Sequence, residues 1–376
     1  MVIPGKITDE GIEDIRKRIG VYYRVDRPTM VATRDMIMHF VNCMGDINPL
    51  FLDEEYAAKT RYSCIIAPPV FLLKVAYITG LKVGGLPGVH GFHSGNDFNF
   101  VRSVRANDLI TATYRPYDVV KRESAFAKTL VIVYAQSYFK NQKDEIVGNA
   151  VGWTIRTERG TAKQTGKYKE YKEKKAYTAE ELQAIQEAIE AEQIRGATPR
   201  YWEDVKVGDE LQPVIKGPMR MVDIALGGLG SGDVFGSHIF QLLPRIKHPT
   251  NVYVDPATGT EQHTHRGHWE DFMAQEIGVP GAYDIGTQRI SWMGQLFTNW
   301  QGDDAFIKKL NGSFRMFNVE GDTQFVKGKV TRKYIEGRQY LVDCDVNCIN
   351  QRDQVTAPGT ATVVLPSKDP DSFVPL

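Results

Sequence analysis

GDINPLFLDEEYAAKTRYSCIIAPPV, residues 45–70, and HWEDFMAQEIGVPGAYDIGT, residues 268–287, decide how this chain is organised. Phe51, Ala57 and Pro69 stand at intervals of six and twelve positions, and His268, Ala274 and Gly286 repeat both intervals. Two matched spacings in segments that share few residue types point to one structural unit used twice. Further on, Asn107-Asp108 corresponds to Gly321-Asp322, both where a turn between strands is expected.

Working outward, 376 residues suffice for two domains that each bury a core. The reading is an N-terminal domain over 1–156, a linker over 157–198 and a C-terminal domain over 199–376. The linker opens with lysines (Lys163, Lys167, Lys169, Lys172, Lys174, Lys175) and ends in one helix. Thr178 and Glu181 have capping-box spacing there, and Leu182, Ile185 and Ile189 give a narrow apolar stripe. The lysines read as solvated linker, with a phosphorylated cofactor tail as the alternative.

Each domain shows helical segments, an apolar helix and four strand-like runs. The strands are expected in FNFVRSV, LITATYRPYDVV, AKTLVIVYAQSYFK and IVGNAVGWTIRT, then in GSFRMFNV, TQFVKGKVTRKYI, RQYLVDCDVNCIN and APGTATVVLP. One long helix followed by an antiparallel meander defines an α+β class, a sheet wrapped around a buried helix.

Lys+Arg and Asp+Glu both total 46, so the formal charge is zero. That removes the electrostatic basis for binding nucleic acid or an anionic membrane surface and favours small molecules or copies of the chain as partners. No apolar run reaches the length of a membrane span, and the N-terminus MVIPGKITDEGIEDIRKRIG lacks the apolar core of a signal peptide. A cytoplasmic location is expected. Cys43, Cys64, Cys344 and Cys348 contain no CxxC pair, and the last two share one face of a strand-like run, which assigns them to packing.

Gly45-Asp46-Ile47-Asn48-Pro49-Leu50, then Asp53, Ala57 and Ala67-Pro68-Pro69-Val70, resemble the motif of the MaoC-like, or R-specific enoyl-CoA hydratase (hydratase 2), family. That motif runs Gly-Asp-x-Asn-Pro-(Leu/Ile)-His-x-Asp, then Ala, then Ala-His-Gly-Met at the start of the central helix. The resemblance covers nearly all of the chain outside the linker and implies a tandem, or double, hot-dog fold. It also implies a lyase that adds water to a CoA-linked 2-enoyl thioester or removes it from the 3-hydroxyacyl form. No metal or redox cofactor is implied, with CoA arriving as part of the substrate. In the family an Asp and a His hold the water, and a backbone amide at the central helix faces the thioester oxygen. Phe51 stands at the histidine position and Pro69, which has no amide hydrogen, at the glycine position, so the N-terminal half reads as a non-catalytic, dehydratase-like pseudo-domain. Its Asp46, Asn48 and Pro49 read as a turn and helix cap.

By the same resemblance the C-terminal half carries the catalytic set His268, Asp233 and Gly286, with Tyr283, Asp284 and Trp292 as substrate-binding residues. Gly286 opens an apolar helix with Ile290, Met293, Leu296, Phe297 and Trp300 at helical spacing, and its amides would face an enolate. Glu270 takes the acidic position two residues after the histidine. The acid is the open point: Gly232-Asp233 keeps the family's Gly-Asp, but Phe235 and Gly236 replace its Asn-Pro. Asp233 could serve His268, serve His238, or be a turn residue, and Asp46 or another acid could partner His268. The insertion around 238–265 would border the substrate channel. HTHRGH, with His263, His265 and His268, offers a competing reading as a metal site on a strand. The other functional readings are a non-catalytic scaffold subunit of a hydratase complex and a hot-dog acyl-CoA thioesterase. Further homo-oligomerisation is compatible with a double hot dog but not demanded by it.

Overall fold

The computed structural model describes residues 5–24, 31–76, 78–124, 127–159, 174–232, 246 and 249–376. The N-terminal half runs through α1 (Asp9–Arg16), β1 (Tyr23–Arg24), α2 (Arg34–Met44), α3 (Pro49–Leu52), α4 (Glu54–Ala58) and α5 (Leu72–Val75). It closes with β2 (His90–Phe100), β3 (Thr111–Ser124), β4 (Lys128–Lys140) and β5 (Ile146–Thr157). After α6 (Ala179–Glu190) come β6 (Glu210–Lys216), α7 (Met221–Ser231), the pair β7 (Val252–Val254) and β8 (Glu261–His263), α8 (Asp271–Glu276) and α9 (Gly286–Gln301). The chain ends in β9 (Phe306–Ser313), β10 (Gln324–Glu336), β11 (Gln339–Asn350) and β12 (Val355–Leu365).

Ten strands form one antiparallel sheet in the order β1-β3-β4-β5-β2-β9-β12-β11-β10-β6. The order is palindromic in role, since each half contributes the same five-strand sequence read outward from the central β2–β9 pair. That pair registers Gly95 opposite Ser313, Asp97 opposite Asn311 and Asn99 opposite Lys309. In β4, KTLVIVYAQSYFK alternates buried and half-buried side chains, the period-two signature of a sheet with one face on the core.

The duplication is exact down to its turns. α2 and α7 each span 11 residues and end on a left-handed glycine, Gly45 and Gly232. Asn107 and Gly321 both have positive φ, 72° and 90°. Asn107 N–H donates to Ala32 O and Ala32 N–H to Asp108 O, both at 2.8 Å; Gly321 N–H donates to Met219 O at 2.7 Å and Met219 N–H to Asp322 O at 2.9 Å. In each turn the Asp carboxylate accepts the backbone N–H three residues back, Arg105 at 2.8 Å and Val319 at 3.2 Å.

The central helices differ. α9 is buried along all 16 residues. Its N-terminal counterpart is a single 3-10 turn from Pro69 to Phe71 and the four residues of α5, shorter than the apolar helix expected there. Beyond it the chain lies flat on the sheet, where Asn96 Nδ2 donates to Ile78 O at 2.9 Å and the Tyr114 hydroxyl to Thr79 O at 3.1 Å. Glycine permits this approach: a Cβ on Gly152 would sit 2.0 Å from Ile78 O, and one on Gly80 2.1 Å from Val133 O.

Three further expectations are corrected. The first strand of each half lies earlier than 98–104 and 312–319, because HGFHSGNDFNF and FIKKLNGS are held as strands by pairing on both sides despite their polar and glycine content. In α6 only Ile185 is buried, while Leu182 and Ile189 are 45% and 40% exposed. The capping box of Thr178 and Glu181 is formed, and just past the helix Glu192 accepts the Ile215 N–H of β6 at 2.7 Å. Finally, HTHRGH is not a strand beyond His263, since Thr264–His268 form a 3-10 turn.

Candidate active site

His268 ends that 3-10 turn and is half-buried. Its Nδ1 lies 3.0 Å from the Tyr283 carbonyl oxygen. A carbonyl can only accept, so Nδ1 carries the proton and donates, leaving the lone pair of the neutral ring on Nε2. The Tyr283 ring packs on the imidazole at 4.2 Å between centroids, which fixes the ring plane as well as its tautomer.

His268, Tyr283, Asp284 and Gly286 line one cavity together with Arg289 and His90–His93 of β2 from the N-terminal half. Gly286 is the first residue of α9, so its N–H belongs to the first turn, whose amides have no intrahelical acceptor. The helix dipole adds partial positive charge at the same end. The glycine is also a steric necessity: a Cβ there would lie 2.7 and 2.8 Å from the Phe314 ring and 3.0 Å from His93 Nδ1.

Asp284 is buried, its carboxylate paired through Oδ2 with Arg289 Nε at 2.8 Å and accepting from Asn318 Nδ2 at 3.3 Å. Oδ1 is buried with no hydrogen-bond partner among the described residues. Burial pushes the carboxyl above its ordinary range, opposed by the Arg289 charge. Arg289 in turn donates to Met316 O at 2.7 Å and stacks on Phe314, 4.9 Å from its centroid. His90 is pushed well below the usual histidine range by burial and then by Arg159, His265, His268 and Arg156, so this wall of the cavity is neutral imidazole. A second cavity shares Phe92, His93, Arg289 and Phe317 with the first and extends to Leu130 and Ile155 on the N-terminal sheet.

The remaining candidates are elsewhere. Asp233 and His238 lie outside the described residues, as do Lys163, Lys167, Lys169 and Lys172. Lys174 bridges Asp271 and Glu320, and Lys175 pairs with Glu181. Trp292 faces away from His268, into a groove with Lys216, Arg220 and the C-terminus of α2. Asp46 accepts the Asn48 N–H at 3.0 Å and Asn48 caps α3, so both act as local caps. Glu270 pairs with Arg266, which also binds Asp255 at 2.8 Å. His263 Nδ1 accepts the His265 N–H at 3.1 Å, which commits one ligand nitrogen of HTHRGH to the backbone. Among the described residues no group of three or more His, Cys, Asp or Glu side chains has the geometry to hold a metal. Arg289, His90 and His93 were not singled out from sequence. Arg289 had one legible signal, a charge inside an otherwise apolar helical stripe; the histidines had none, because β2 reaches the cavity from the other half.

The N-terminal half has the corresponding cavity, whose lining includes Phe51, Ile66, Ala67, Pro69 and Leu72. These occupy the positions of His268, Tyr283, Asp284, Gly286 and Arg289, each exactly 217 residues earlier. At these five positions the N-terminal cavity carries apolar or amide-free residues, while Asn48, Arg102, Ser103 and Asp303 also line it.

Fold and site together define a double hot dog with a cavity in each half, one of them holding His268 and the α9 N-terminus. Solved structures share the fold: a "MaoC-like dehydratase" at TM-score 0.65 and 15% identity, covering 94% of this chain and 100% of that one. A putative MaoC domain protein dehydratase from Chloroflexus aurantiacus gives 0.55 and 12%, covering 93% and 96%. A Mycobacterium tuberculosis protein described as a double hotdog fold gives 0.54 and 11%, covering 92% and 96%. In sequence, residues 18–150 match the family model of the FAS1-like dehydratase domain region. A "UPF0336 protein" of Streptomyces griseus is 32% identical over 91 residues, 23% of this chain and 61% of that protein. A second, from Streptomyces avermitilis, is 33% identical over 85 residues, 21% of this chain and 57% of that protein, so the chain spans about three fifths of these relatives. Among the described residues no helix is long and apolar enough to cross a membrane.

Proposed function

We propose that the chain is a hydratase or dehydratase of acyl thioesters, acting on a CoA-linked 2-enoyl or 3-hydroxyacyl group. The observation that carries this is the meeting of His268 and the α9 N-terminus in one cavity, with the His268 tautomer set by Tyr283 O. Hydration needs a base for water, a proton for the α-carbon and donors for the enolate oxygen. His268 Nε2 takes the water proton as oxygen bonds the β-carbon. The Gly286 N–H, backed by the helix dipole, stabilises charge on the thioester oxygen. The adjoining cavity, with Phe92, Leu130, Ile155 and Phe317, suits the apolar part of an acyl chain. The similarity to dehydratase folds supports the same class of reaction.

The test is loss of enoyl-thioester absorbance with crotonyl-CoA and bulkier enoyl-CoAs, using the purified chain. His268→Ala should reduce kcat by about 10²–10⁴-fold while leaving the melting temperature within a few degrees. Undiminished turnover in that variant would sink the assignment. Release of free CoA thiol would make the protein a thioesterase, and turnover only with a second polypeptide would make it a scaffold subunit.

A further inference from the structure

We propose that the His268 cavity takes an acyl group that itself carries a carboxylate, bound through His90, so that the substrates are thioesters of dicarboxylic acids. The inference rests on the hydratase reading above and names its substrate class. Two observations carry it. His90, the first residue of β2, is 9% exposed and lines the cavity, yet its ring makes no hydrogen bond among the described residues; it packs on Phe92 at 4.4 Å between centroids. Polar side chains buried to this degree are nearly always satisfied, so an unpaired imidazole on a cavity wall marks the place of a ligand group. The second observation is that the charge around His90 has one sign. Arg156 is buried and donates to Leu86 O at 2.7 Å and to Val89 O at 2.9 Å, the carbonyl next to His90; both acceptors are neutral. Arg159, also buried, donates to Thr250 O at 2.7 Å and Asn251 Oδ1 at 3.0 Å. These residues lead into β7, whose partner β8 runs on to Thr264, His265 and His268 on the same cavity.

Burial lowers both guanidinium groups to about 10, and the charges that act on His90 are those of Arg159, His265, His268 and Arg156, all cationic. A cation in a wall of low dielectric is stabilised by an anion close by. Among the described residues the carboxylate lining the cavity is Asp284, and Arg289 already pairs with it at 2.8 Å. The anion that suits the His90 wall is therefore one that the ligand brings. His90 is held neutral, so one ring nitrogen keeps an N–H, and a carboxylate accepts it while the guanidinium charges stabilise the ion. An alkyl group in the same place gains neither contribution. The CoA phosphates are separated from the thioester by the whole pantetheine arm, so with the thioester oxygen at the Gly286 N–H the anion that reaches His90 belongs to the acyl group. Phe92 lies between the two cavities and gives the methylene carbons of such a group an apolar surface.

The test uses the full-length chain and two matched pairs of ligands. For turnover the pair is glutaconyl-CoA, an enoyl thioester ending in a carboxylate, and its isostere with isopropyl in place of the carboxylate. For affinity, measured by calorimetry, the pair is the saturated counterparts of both, which cannot be hydrated. Wild type should bind the saturated carboxylate about 10–100-fold more tightly than its isostere, the range of a hydrogen bond to a charged group, with a similar ratio in kcat/KM. His90→Phe should lower both ratios by about tenfold or more, and His90→Gln, which keeps an N–H donor, should recover part of the loss. His90→Leu, a smaller apolar variant, guards against misfolding of the phenylalanine one, and melting temperatures report folding. Equal or weaker binding of the carboxylate by wild type overturns the inference and leaves the hydratase reading intact. So does a preference that persists in a folded His90→Phe or His90→Leu protein. Selective binding that depends on His90, without turnover of either enoyl thioester, upholds the carboxylate site and overturns the hydratase reading.

Discussion

At the scale of single residues, Gly286 shows two effects opposed in sign. Alanine is the better helix former, by about 0.8–1 kcal/mol in a helix interior and less at a first position. A Cβ there would press on Phe314 at 2.7 Å and on His93 Nδ1 at 3.0 Å, and overpacking of this kind costs about 1–3 kcal/mol. The clash wins because Phe314 is itself pinned between Arg289 and His93. Gly286→Ala should therefore lower the melting temperature by several degrees and reduce kcat/KM through displacement of the amide. Calorimetry and the enoyl-CoA assay check this; a variant more stable than wild type would show that helix propensity dominates.

At the scale of elements, β11 illustrates what pairing on both sides does to reactive groups. It is hydrogen-bonded to β10 and β12, and alternation turns Cys344 and Cys348 to the same buried face. Burial pushes both thiols up to about 12. The thiolate is the reactive form, so raising the value removes reactivity: at pH 8 roughly one thiol in 10⁴ is ionised. Both cysteines should resist alkylation at pH 8 in the native protein and react on unfolding in denaturant, while the half-buried Cys64 labels in the native state. Mass-spectrometric mapping of the modified peptides reads this directly, and native labelling of Cys348 would contradict the strand's burial.

At the scale of the whole molecule, the two halves share one sheet through β2 and β9 and share their cavities as well. β2 of the N-terminal half walls the His268 cavity, and β9 of the C-terminal half, through Phe306 and Ile307, walls the N-terminal one. The N-terminal half is thus a structural part of the His268 cavity. A fragment of residues 199–376 would expose β9 as an unpaired edge, a template for association. It should self-associate in light scattering and show no turnover with enoyl-CoA. A monodisperse, active fragment would refute the shared wall.

The sequence alone determined the α+β class and the duplication. These rest on periodicity and on spacing, which are properties of the chain. Phe51 and Pro69 were legible for the same reason, since a side chain without a proton and a residue without an amide hydrogen are chemical facts at known positions. Tertiary structure decided the rest. It turned Trp292 away from His268, because on a helix buried all round the direction of a side chain is set by its neighbours. It started β2 and β9 earlier than their composition suggests, because pairing outweighs weak strand propensity. It shortened the N-terminal central helix and laid residues 78–80 against the sheet at Gly152 and Val133. Above all it joined Asp284 to Arg289 in a buried ion pair, an arrangement of burial and partners that no spacing in the sequence encodes.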